Sequence, residues 1–379
     1  MQPSPSTPPS DAANLEVSII VPARNEQASL ADCLQSLITQ DGVTYEIIVI
    51  DDASTDRTRQ IAESFPTVRV IPAPPVPTGW TGKNNAVVAG AATAQGAWLL
   101  FTDADTIHVP GSLARALAEA KEHGADMLSY SPEQIAVTFW EMAVLPVVFA
   151  ELAHAYPPKK VSDPASPIAA ANGQYILIRR EAYDAVGGHR AIAGNLLEDV
   201  ALAQAVKRSG RQLRFRYAAE AVRTRMYRSL SQLREGWTKN LALLFPNPTK
   251  LAAKSLLMWG CVCVLVLWPA VTSIGAGLSD RIDSLAWARG LMLTLSTVSS
   301  HWWWHGMGVC GFLLIAQRLR RANFTWDMEI IAAIAGYPMF AFLLLRSRAA
   351  RRNGNVSWKG RTYSQPSVPS ASVKLRTDN

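Results

Sequence analysis

The stretch Ala97-Trp98-Leu99-Leu100-Phe101-Thr102-Asp103-Ala104-Asp105 joins an unbroken apolar run to two carboxylates. A short apolar run of this kind is typical of a strand that is buried on both faces of a sheet. The acidic triplet therefore falls at a strand end. Two carboxylates placed there can hold one hard divalent cation, and such a cation can bind diphosphate oxygens. A lone acidic triplet is more often a solvated turn, so its neighbours decide its meaning.

Outward from this run, strand patterns alternate with helical patterns along the chain. We predict strands at 17–21, 45–50 and 68–71 and helices at 28–39, 54–65, 83–94 and 110–123. Such alternation indicates an α/β fold with a parallel sheet covered by helices on both faces. Ligands of such sheets bind beyond the carboxyl ends of the strands. Pro22 to Glu26, the pair Asp51-Asp52 and the acidic triplet all fall at those ends, so we expect them to share one site.

The chain after Lys254 has a different composition, with three uncharged apolar stretches at 255–278, 290–316 and 330–345. The first two are long enough to cross a bilayer as helices, and the third is near the lower limit. Arginines flank these stretches and tryptophans lie within them, which favours membrane spans over three buried helices of a soluble domain. We therefore predict C-terminal transmembrane helices.

Four regions follow from these patterns. They are a disordered leader at 1–14, a globular domain at 15–250, a transmembrane helical region at 251–348 and a basic cytoplasmic tail at 349–379. The leader is rich in Pro and Ser and lacks the apolar core of a signal peptide. We expect a multi-pass protein of the inner (plasma) membrane whose globular domain is cytoplasmic.

The number of spans decides where the basic tail lies. Three complete spans would place Arg346 to Arg352 across the membrane from the globular domain, against the positive-inside tendency. A broken or hairpin middle stretch would return the tail to the cytoplasm, and we favour that topology.

Charge and cysteine usage narrow the possible partners. The formal net charge is +7, but the basic residues form no single stripe, so nucleic acid is not an expected partner. The four cysteines have neither the spacing of a zinc site nor that of a disulfide framework.

Four motifs, in order, resemble those of the family 2 glycosyltransferases with a GT-A fold. They are Val17–Glu26, Val49–Asp56, Thr102–Asp105 and Leu197–Asp199, and the resemblance spans about 17–244. It implies a Rossmann-like nucleotide-diphospho-sugar transferase domain, followed here by transmembrane helices. It also implies a hexosyltransferase that takes a nucleotide-sugar donor, with a UDP-sugar as the expected one, uses Mn²⁺ or Mg²⁺ and inverts the anomeric carbon.

Four further stretches resemble membrane-bound enzymes that glycosylate carotenoids or hopanoids. They are Gly79–Asn84, Arg225–Tyr227, Glu235–Asn240 and Trp358–Tyr363. This narrower resemblance implies a membrane lipid acceptor of carotenoid, hopanoid or polyprenyl type that receives the sugar on a hydroxyl or carboxyl group. The expected partners are the donor, this lipid and the bilayer.

The family resemblance assigns a nucleotide pocket to the first two strand ends. Asp52, with Asp51 beside it, would accept hydrogen bonds from the base or the ribose. Pro22, Arg24 and Glu26 would line the same pocket.

The resemblance assigns the diphosphate and its cation to the next two segments. Lys83 lies at a predicted helix start, where its charge and nearby N–H groups can meet diphosphate oxygens; the alternative is an exposed surface lysine. Asp105 of the family's DXD motif would bind the metal directly, with Asp103 nearer the ribose. The metal would neutralise charge on the departing nucleoside diphosphate.

Asp199 is the expected general base, which removes the proton from the acceptor hydroxyl. Glu198 is the competing candidate. The pair also suits the first turn of a helix at 200–207, and both interpretations can hold together. Trp237 would close over the donor or the acceptor.

One departure from the family bears on product length. Processive synthases carry Gln-x-x-Arg-Trp near the membrane, whereas this chain has Leu233-Arg234-Glu235-Gly236-Trp237. The tryptophan remains, but Leu233 and Gly236 replace the Gln and the Arg. This favours a single sugar transfer over the alternative of a processive polysaccharide synthase. A second alternative is a non-catalytic sugar-nucleotide-binding membrane scaffold, which would be expected to lose an acidic site residue.

Overall fold

The computed structural model describes residues 15–260, 263, 290, 302–320, 324–354 and 356–363. The chain divides into two compact units. The first contains the residues up to Ile135, Tyr156–Met226 and Lys359–Arg361, and the second contains Ala136–Ala155, Tyr227–Trp358 and the residues from Thr362. A three-residue segment near the C-terminus thus belongs to the first unit.

A seven-stranded sheet forms the centre of the first unit. In spatial order its strands are β3 (Val68–Pro72), β2 (Tyr45–Asp51), β1 (Val17–Ala23), β4 (Trp98–Phe101), β8 (Ile176–Arg179), β6 (Met127–Ser131) and β9 (Leu213–Tyr217). The apolar runs of β1, β2 and β4 are buried almost throughout, as their sequences predict for central strands.

The sequence predicts a parallel sheet, but the sheet in the structure is mixed. β1 runs parallel to β2 and β4, but β8 is antiparallel to both β4 and β6. Phe101 at the end of β4 pairs with Ile176 at the start of β8. The loop that precedes β8 therefore lies beside the acidic triplet, at the edge where the parallel strands end.

Helices cover both faces of this sheet. In the first unit they are α1 (Leu30–Ile38), α2 (Thr58–Glu63), α3 (Gly82–Thr93), α4 (Ser112–Glu122), α6 (Pro158–Ser162), α7 (Arg180–Ala185), α8 (Gly188–Ala191) and α9 (Glu198–Arg208). One apolar core joins the sheet to α1 and α4, and a second joins it to α3 and α9. The helices predicted at 28–39, 83–94 and 110–123 are confirmed to within two residues at each end, whereas the helix predicted at 54–65 is limited to Thr58–Glu63.

A small second sheet continues from the acidic triplet. It consists of β5 (Thr106–His108), β10 (Val222–Thr224) and β7 (Glu133–Gln134), with β10 in the middle. The Thr224 hydroxyl donates to the Asp105 carbonyl at 3.1 Å. This sheet therefore fixes the backbone at the metal-binding candidate.

The described part of the second unit is mainly helical. Its helices are α5 (Phe139–Ala155), α10 (Leu230–Leu244), residues 248–260, Trp302–Leu319 and a long helix at Trp326–Arg352. The strands β11 (Val356–Trp358) and β12 (Arg361–Tyr363) follow. Arg361, the first residue of β12, belongs to the first unit. The long helix is π-helical at Ala332–Gly336. There a Cβ on Gly336 would overlap the Ala143 carbonyl, so the glycine permits close packing on α5.

Two buried carboxylates of α5 are both partnered within the second unit. Glu141 accepts from the Val137 and Thr138 N–H groups at 3.1 and 2.6 Å and so caps its own helix. Glu151 receives two hydrogen bonds from Arg318, at 2.6 and 2.7 Å. The two-pronged geometry compensates part of the cost of burying this charge.

Among the described residues, one helix is long and apolar enough to cross a membrane by length and composition. It is Trp326–Arg352, with a mean hydropathy of 1.9 over its most apolar window. It includes the predicted stretch 330–345. The stretches 255–278 and 290–316 lie largely outside the described residues, so the multi-pass arrangement stays a prediction.

Candidate functional site

The acidic triplet is held in a fixed turn at the end of β4. The Thr102 hydroxyl donates to the Gln174 carbonyl at 2.8 Å, and the Thr106 N–H donates to the Asp103 carbonyl at 3.2 Å. The Asp103 side chain is 30% exposed. Asp105 turns inward, and its Oδ1 is buried without a hydrogen-bond partner among the described residues. Both residues are half-buried, and one carboxylate oxygen of Asp105 is shielded from solvent.

Electrostatics at Asp105 favour the arrival of a cation. Burial, together with the nearby charges of Asp103 and Glu26, raises the pKa of this carboxyl to about 7. The ammonium groups of Lys359 and Lys83 oppose this rise. The neighbourhood of Asp105 thus carries more negative charge than its own cations neutralise.

Lys83 connects three elements of the site. It lies in the first turn of α3, whose start is capped by the Thr81 hydroxyl accepting from the Asn84 N–H at 3.1 Å. Its Nζ is 2.7 Å from Asp103 Oδ1 and 2.6 Å from Glu198 Oε1. Burial lowers the pKa of Lys83, but these two carboxylates outweigh burial and hold the pKa well above its usual value. Lys83 is thus a fixed cation and not a free surface lysine.

Glu198 and Asp199 lie in the first turn of α9, as predicted for an acidic helix start. Asp199 accepts from the Gly173 N–H at 3.1 Å and from the Val200 N–H at 2.8 Å. Burial, aided by the charge of Glu198, raises the pKa of Asp199 to about 6. Glu198 is bound to Lys83, whereas a pKa of about 6 suits Asp199 for accepting a proton near neutral pH.

The loops after β1 and β2 are joined to each other. Arg24 Nη1 donates to the Asp52 carbonyl at 2.6 Å, and the Asn25 side chain accepts from the Thr55 N–H at 2.9 Å. Asn25 and Ala53 both adopt left-handed backbone conformations, with φ of +52° and +53°. Strained backbone of this kind is found preferentially at binding sites.

The carboxylates of these loops are sheltered and oriented. Asp51 and Asp52 are 7% and 5% exposed. Asp51 Oδ1 accepts from the Ser54 N–H at 3.2 Å. Asp52 pairs with Arg361, and Glu26 pairs with Lys359.

The structure brings most of the predicted site residues together. A small cavity is lined by Pro22, Lys83, Asp103 and Glu198, together with Gly173 and His189. Trp237 belongs to the second unit. There it is 2% exposed and packs edge-on against Phe149 and Tyr227. Its proposed role over the donor or acceptor stays a prediction.

Residues 18–187 match the model of the glycosyl transferase family 2. The chain carries a family 2 glycosyltransferase domain. The expected family and enzyme class are thereby confirmed, and the mixed α/β sheet is the kind of fold that the family resemblance implied.

Curated relatives share most of the length of this glycosyltransferase. A 4,4'-diaponeurosporenoate glycosyltransferase of Staphylococcus aureus (strain MRSA252) is 26% identical over 362 residues, which is 92% of this chain and 88% of the relative. The protein of the same name from strain USA300 is 25% identical over the same shares.

Solved structures were also compared with the glycosyltransferase. A mannosyltransferase from Pyrobaculum calidifontis in complex with GDP-Man and Mn²⁺ covers 90% of each chain with a TM-score of 0.48 and 16% identity. The solved chain of S. aureus TarS 1–349 in complex with UDP-GlcNAc matches over 93% of this chain and 99% of its own length, with a TM-score of 0.42 and 14% identity.

Sequence reasoning did not anticipate two neighbours of the predicted site residues. Gly173 lies where a Cβ would be 3.1 Å from Lys83 Nζ and 3.5 Å from Glu198 Oε1, so a side chain would crowd this pair. Only the turn-forming dipeptide Asn172-Gly173 gives a local signal. The other neighbour is the segment Lys359–Arg361, which pairs with Glu26 and Asp52; the stretch 358–363 marks it as a motif without indicating where it lies.

His189 has a structural role in the glycosyltransferase domain. It is 2% exposed, and its Nδ1 is 3.1 Å from the Tyr183 hydroxyl. Burial lowers the pKa of its imidazole to about 4, so it is neutral at physiological pH. Its ring also packs edge-on against Phe101, which fixes the wall of the cavity.

The carboxylates of the acidic triplet suit a divalent cation whose coordination shell is completed by substrate. Among the described residues, no three His, Cys, Asp or Glu side chains are grouped to hold a metal ion. Asp105 nevertheless presents a buried carboxylate oxygen without a hydrogen-bond partner, next to Asp103. Mg²⁺ and similar ions are often bound by one or two carboxylates together with waters and phosphate oxygens. A site of that kind suits this pair.

Proposed function

We propose that this glycosyltransferase moves a single sugar from a nucleotide-sugar donor, with UDP-sugars as the first candidates, to a carotenoid-type lipid acceptor. The observation that carries the proposal is the double ion pair of Lys83. By binding Asp103 and Glu198, at 2.7 and 2.6 Å, Lys83 brings the metal-binding candidates and the base candidate to the same edge of the sheet. Donor activation and acceptor activation can then occur in one site.

On the donor side, the chain's residues are arranged around a diphosphate. Asp105 and Asp103 would hold Mn²⁺ or Mg²⁺, which supplies charge neutralisation for the leaving nucleoside diphosphate. Lys83, at the start of α3, would contact diphosphate oxygens together with the free N–H groups of that helix start. Asp51 and Asp52 would orient the base or ribose.

On the acceptor side, Asp199 would take the proton of an attacking hydroxyl. The attack comes from the face opposite the leaving group, which inverts the anomeric carbon. The name of the S. aureus relatives denotes a carotenoid carboxylate. Such an acceptor is ionised at neutral pH and needs no base, whereas a hydroxyl acceptor does. The two acceptor types therefore predict different roles for Asp199.

Packing at Gly236 supports transfer of one sugar over processive synthesis. A Cβ on this residue would lie 2.5 Å from the ring of Tyr227, within the second unit. The arginine that processive synthases carry at this position would not fit beside that ring. Trp237, which follows, is buried by the same packing.

The assay that tests the proposal uses the full chain purified in detergent. It combines a panel of UDP- and GDP-sugars with Mn²⁺, Mg²⁺ or EDTA, and with a carotenoid acid or a carotenoid alcohol as acceptor. We expect EDTA-sensitive release of nucleoside diphosphate and one added sugar on the lipid by mass spectrometry. A long glycan product would instead indicate a processive synthase. Nucleotide binding without turnover on any pair would indicate a scaffold.

We also propose that the chain crosses the inner membrane an even number of times between Met226 and Lys359, with the catalytic domain in the cytoplasm. The support is that Lys359–Arg361 belong to the same compact unit as the catalytic residues. A segment in that unit has to lie on the same side of the membrane. This topology also keeps the arginines of 346–352 on the cytoplasmic side, in agreement with the positive-inside tendency.

Reporter fusions test this topology. Green fluorescent protein fused after Asn379 is expected to fluoresce, while alkaline phosphatase fused there is expected to be inactive. Fusions to chains that end at Arg320, before the helix Trp326–Arg352, should give the opposite pattern. Phosphatase activity after Asn379 would contradict an even number of crossings.

A further inference from the structure

The chain returns to the catalytic unit in a tight turn between β11 and β12. The turn residues Lys359 and Gly360 have φ of +47° and +76°. Two successive residues with positive φ are typical of the two-residue turns that join hairpin strands. A lysine is uncommon in this conformation because its Cβ crowds the backbone. Such strain persists where the surrounding contacts determine the geometry.

The contacts of this turn are with residues of the predicted nucleotide pocket. The guanidinium of Arg361 bonds both carboxylate oxygens of Asp52, with Nη2 2.9 Å from Oδ1. Lys359 Nζ pairs with Glu26 and donates to the Arg24 carbonyl at 3.2 Å. Arg24 Nε in turn donates to the Lys359 carbonyl at 3.3 Å. Both the backbone and the side chains of the turn are therefore built into this pocket.

Gly82 leaves the space that the Arg361–Asp52 pair occupies. A Cβ at Gly82 would overlap the Arg361 guanidinium and lie 2.6 Å from Asp52 Oδ2. Gly82 is also the first residue of α3, next to Lys83. The turn therefore meets the pocket at the helix start where the diphosphate is expected.

We propose that Lys359–Arg361 forms a wall of the donor's nucleotide pocket and that Arg361 is a positioning residue for Asp52. The inference rests on the proposed function, because it concerns the donor of that reaction. A bidentate arginine fixes the plane of a carboxylate. An ionised carboxylate has about four acceptor positions, so Asp52 can hold Arg361 and still accept from the base or ribose. The two cations of the turn also offset carboxylate charge where an anionic donor enters.

The test compares Arg361→Ala and Arg361→Lys with the wild type as full chains in detergent. For Arg361→Ala we expect the donor KM to rise about 10- to 100-fold, the range for loss of a charge-assisted hydrogen bond, while kcat at saturating donor stays within about twofold. Arg361→Lys should recover only part of the loss, because an ammonium group cannot form the two-pronged pair. Calorimetric binding of UDP and GDP should show the same order of affinities.

Two further variants serve as a control and as a replacement for Arg361→Ala. Arg352→Ala removes an exposed arginine nearby in sequence and should leave the donor KM unchanged. If Arg361→Ala fails to fold, Gly82→Ala is the second variant: its Cβ would crowd both Arg361 and Asp52 Oδ2 and so break their pair, and the donor KM should rise at least as much.

The outcomes separate this inference from the proposed function. An unchanged donor KM in Arg361→Ala, with a wild type that turns over, overturns the inference and leaves the function intact. Tighter nucleotide binding in Arg361→Ala also overturns it, because the turn would then block the pocket. A wild type that turns over no donor overturns the proposed function itself.

Discussion

We expect Asp199→Asn to lower kcat with a hydroxyl acceptor by about 10²- to 10⁴-fold, the contribution typical of a general base. The amide has nearly the same shape but cannot take the acceptor's proton. Its side-chain oxygen can still accept a hydrogen bond from one of the two N–H groups, Gly173 or Val200, that donate to the carboxylate in the wild type. The fold and the donor site should therefore survive, and the donor KM should change little.

The pH dependence gives this prediction a second readout. Burial raises the pKa of Asp199 to about 6, so the carboxyl is protonated and inactive as a base below that pH. In the wild type, kcat should fall about tenfold per pH unit below pH 6 and be level above it. In Asp199→Asn this acidic limb should be missing from the kcat profile measured between pH 4.5 and 8.5.

The acceptor itself supplies the matched control for Asp199→Asn. With a carotenoid acid, which is already ionised, the variant should retain turnover within about tenfold of the wild type. Glu198→Gln separates the two acidic neighbours: because Glu198 holds Lys83 at 2.6 Å, its loss should raise the donor KM. Full activity of Asp199→Asn with an alcohol acceptor at pH 7 would exclude Asp199 as the base.

The sequence alone was sufficient to predict the strands and helices that short stretches of residues specify. The apolar run 98–101 predicts a buried strand, and the acidic triplet falls at its end as expected. The strands at 17–21 and 45–50 follow the same logic, and their ends supply Arg24 and Asp52. Parallel register places such ends on one edge, so their proximity could be predicted without coordinates.

Two features could not be predicted from local sequence patterns: the direction of a strand, and contacts between residues far apart in the chain. The stretch Gln174–Ile178 is an apolar run typical of a strand, but such a run carries no information on strand direction. Because β8 is antiparallel, the preceding loop carries Gly173 into the site. Glu198 lies 115 positions after Lys83, and no local pattern pairs them. The return of Lys359–Arg361 depends on the path of the whole second unit, so its motif could be noticed while its role could not.

Asp105→Asn is the other substitution with a large expected effect. We expect it to lower kcat/KM for transfer by about 10²- to 10³-fold or more, since a catalytic cation contributes several kcal/mol of charge stabilisation. Asp105 is the residue whose buried Oδ1 has no hydrogen-bond partner among the described residues. An amide oxygen there would bind Mn²⁺ more weakly than a carboxylate. The Mn²⁺ concentration that gives half-maximal activity should therefore rise.

A stability measurement makes this prediction independent of activity. Burial and the charges of Asp103 and Glu26 disfavour the ionised form of Asp105. Without metal, the neutral amide removes this repulsion, so Asp105→Asn in EDTA at pH 8 should melt at the same temperature as the wild type or higher. Adding Mn²⁺ with UDP should raise the melting temperature of the wild type more than that of the variant.

Asp32→Asn is the matched control, because Asp32 is an exposed carboxylate in the first turn of α1. It should leave both the Mn²⁺ dependence of transfer and the stabilisation by Mn²⁺ with UDP unchanged. If Asp105→Asn behaved like Asp32→Asn in both measurements, the cation would not be held by Asp105. The unpartnered oxygen would then need another explanation, and Asp103, which is already bound to Lys83, would be the remaining carboxylate of the triplet to test.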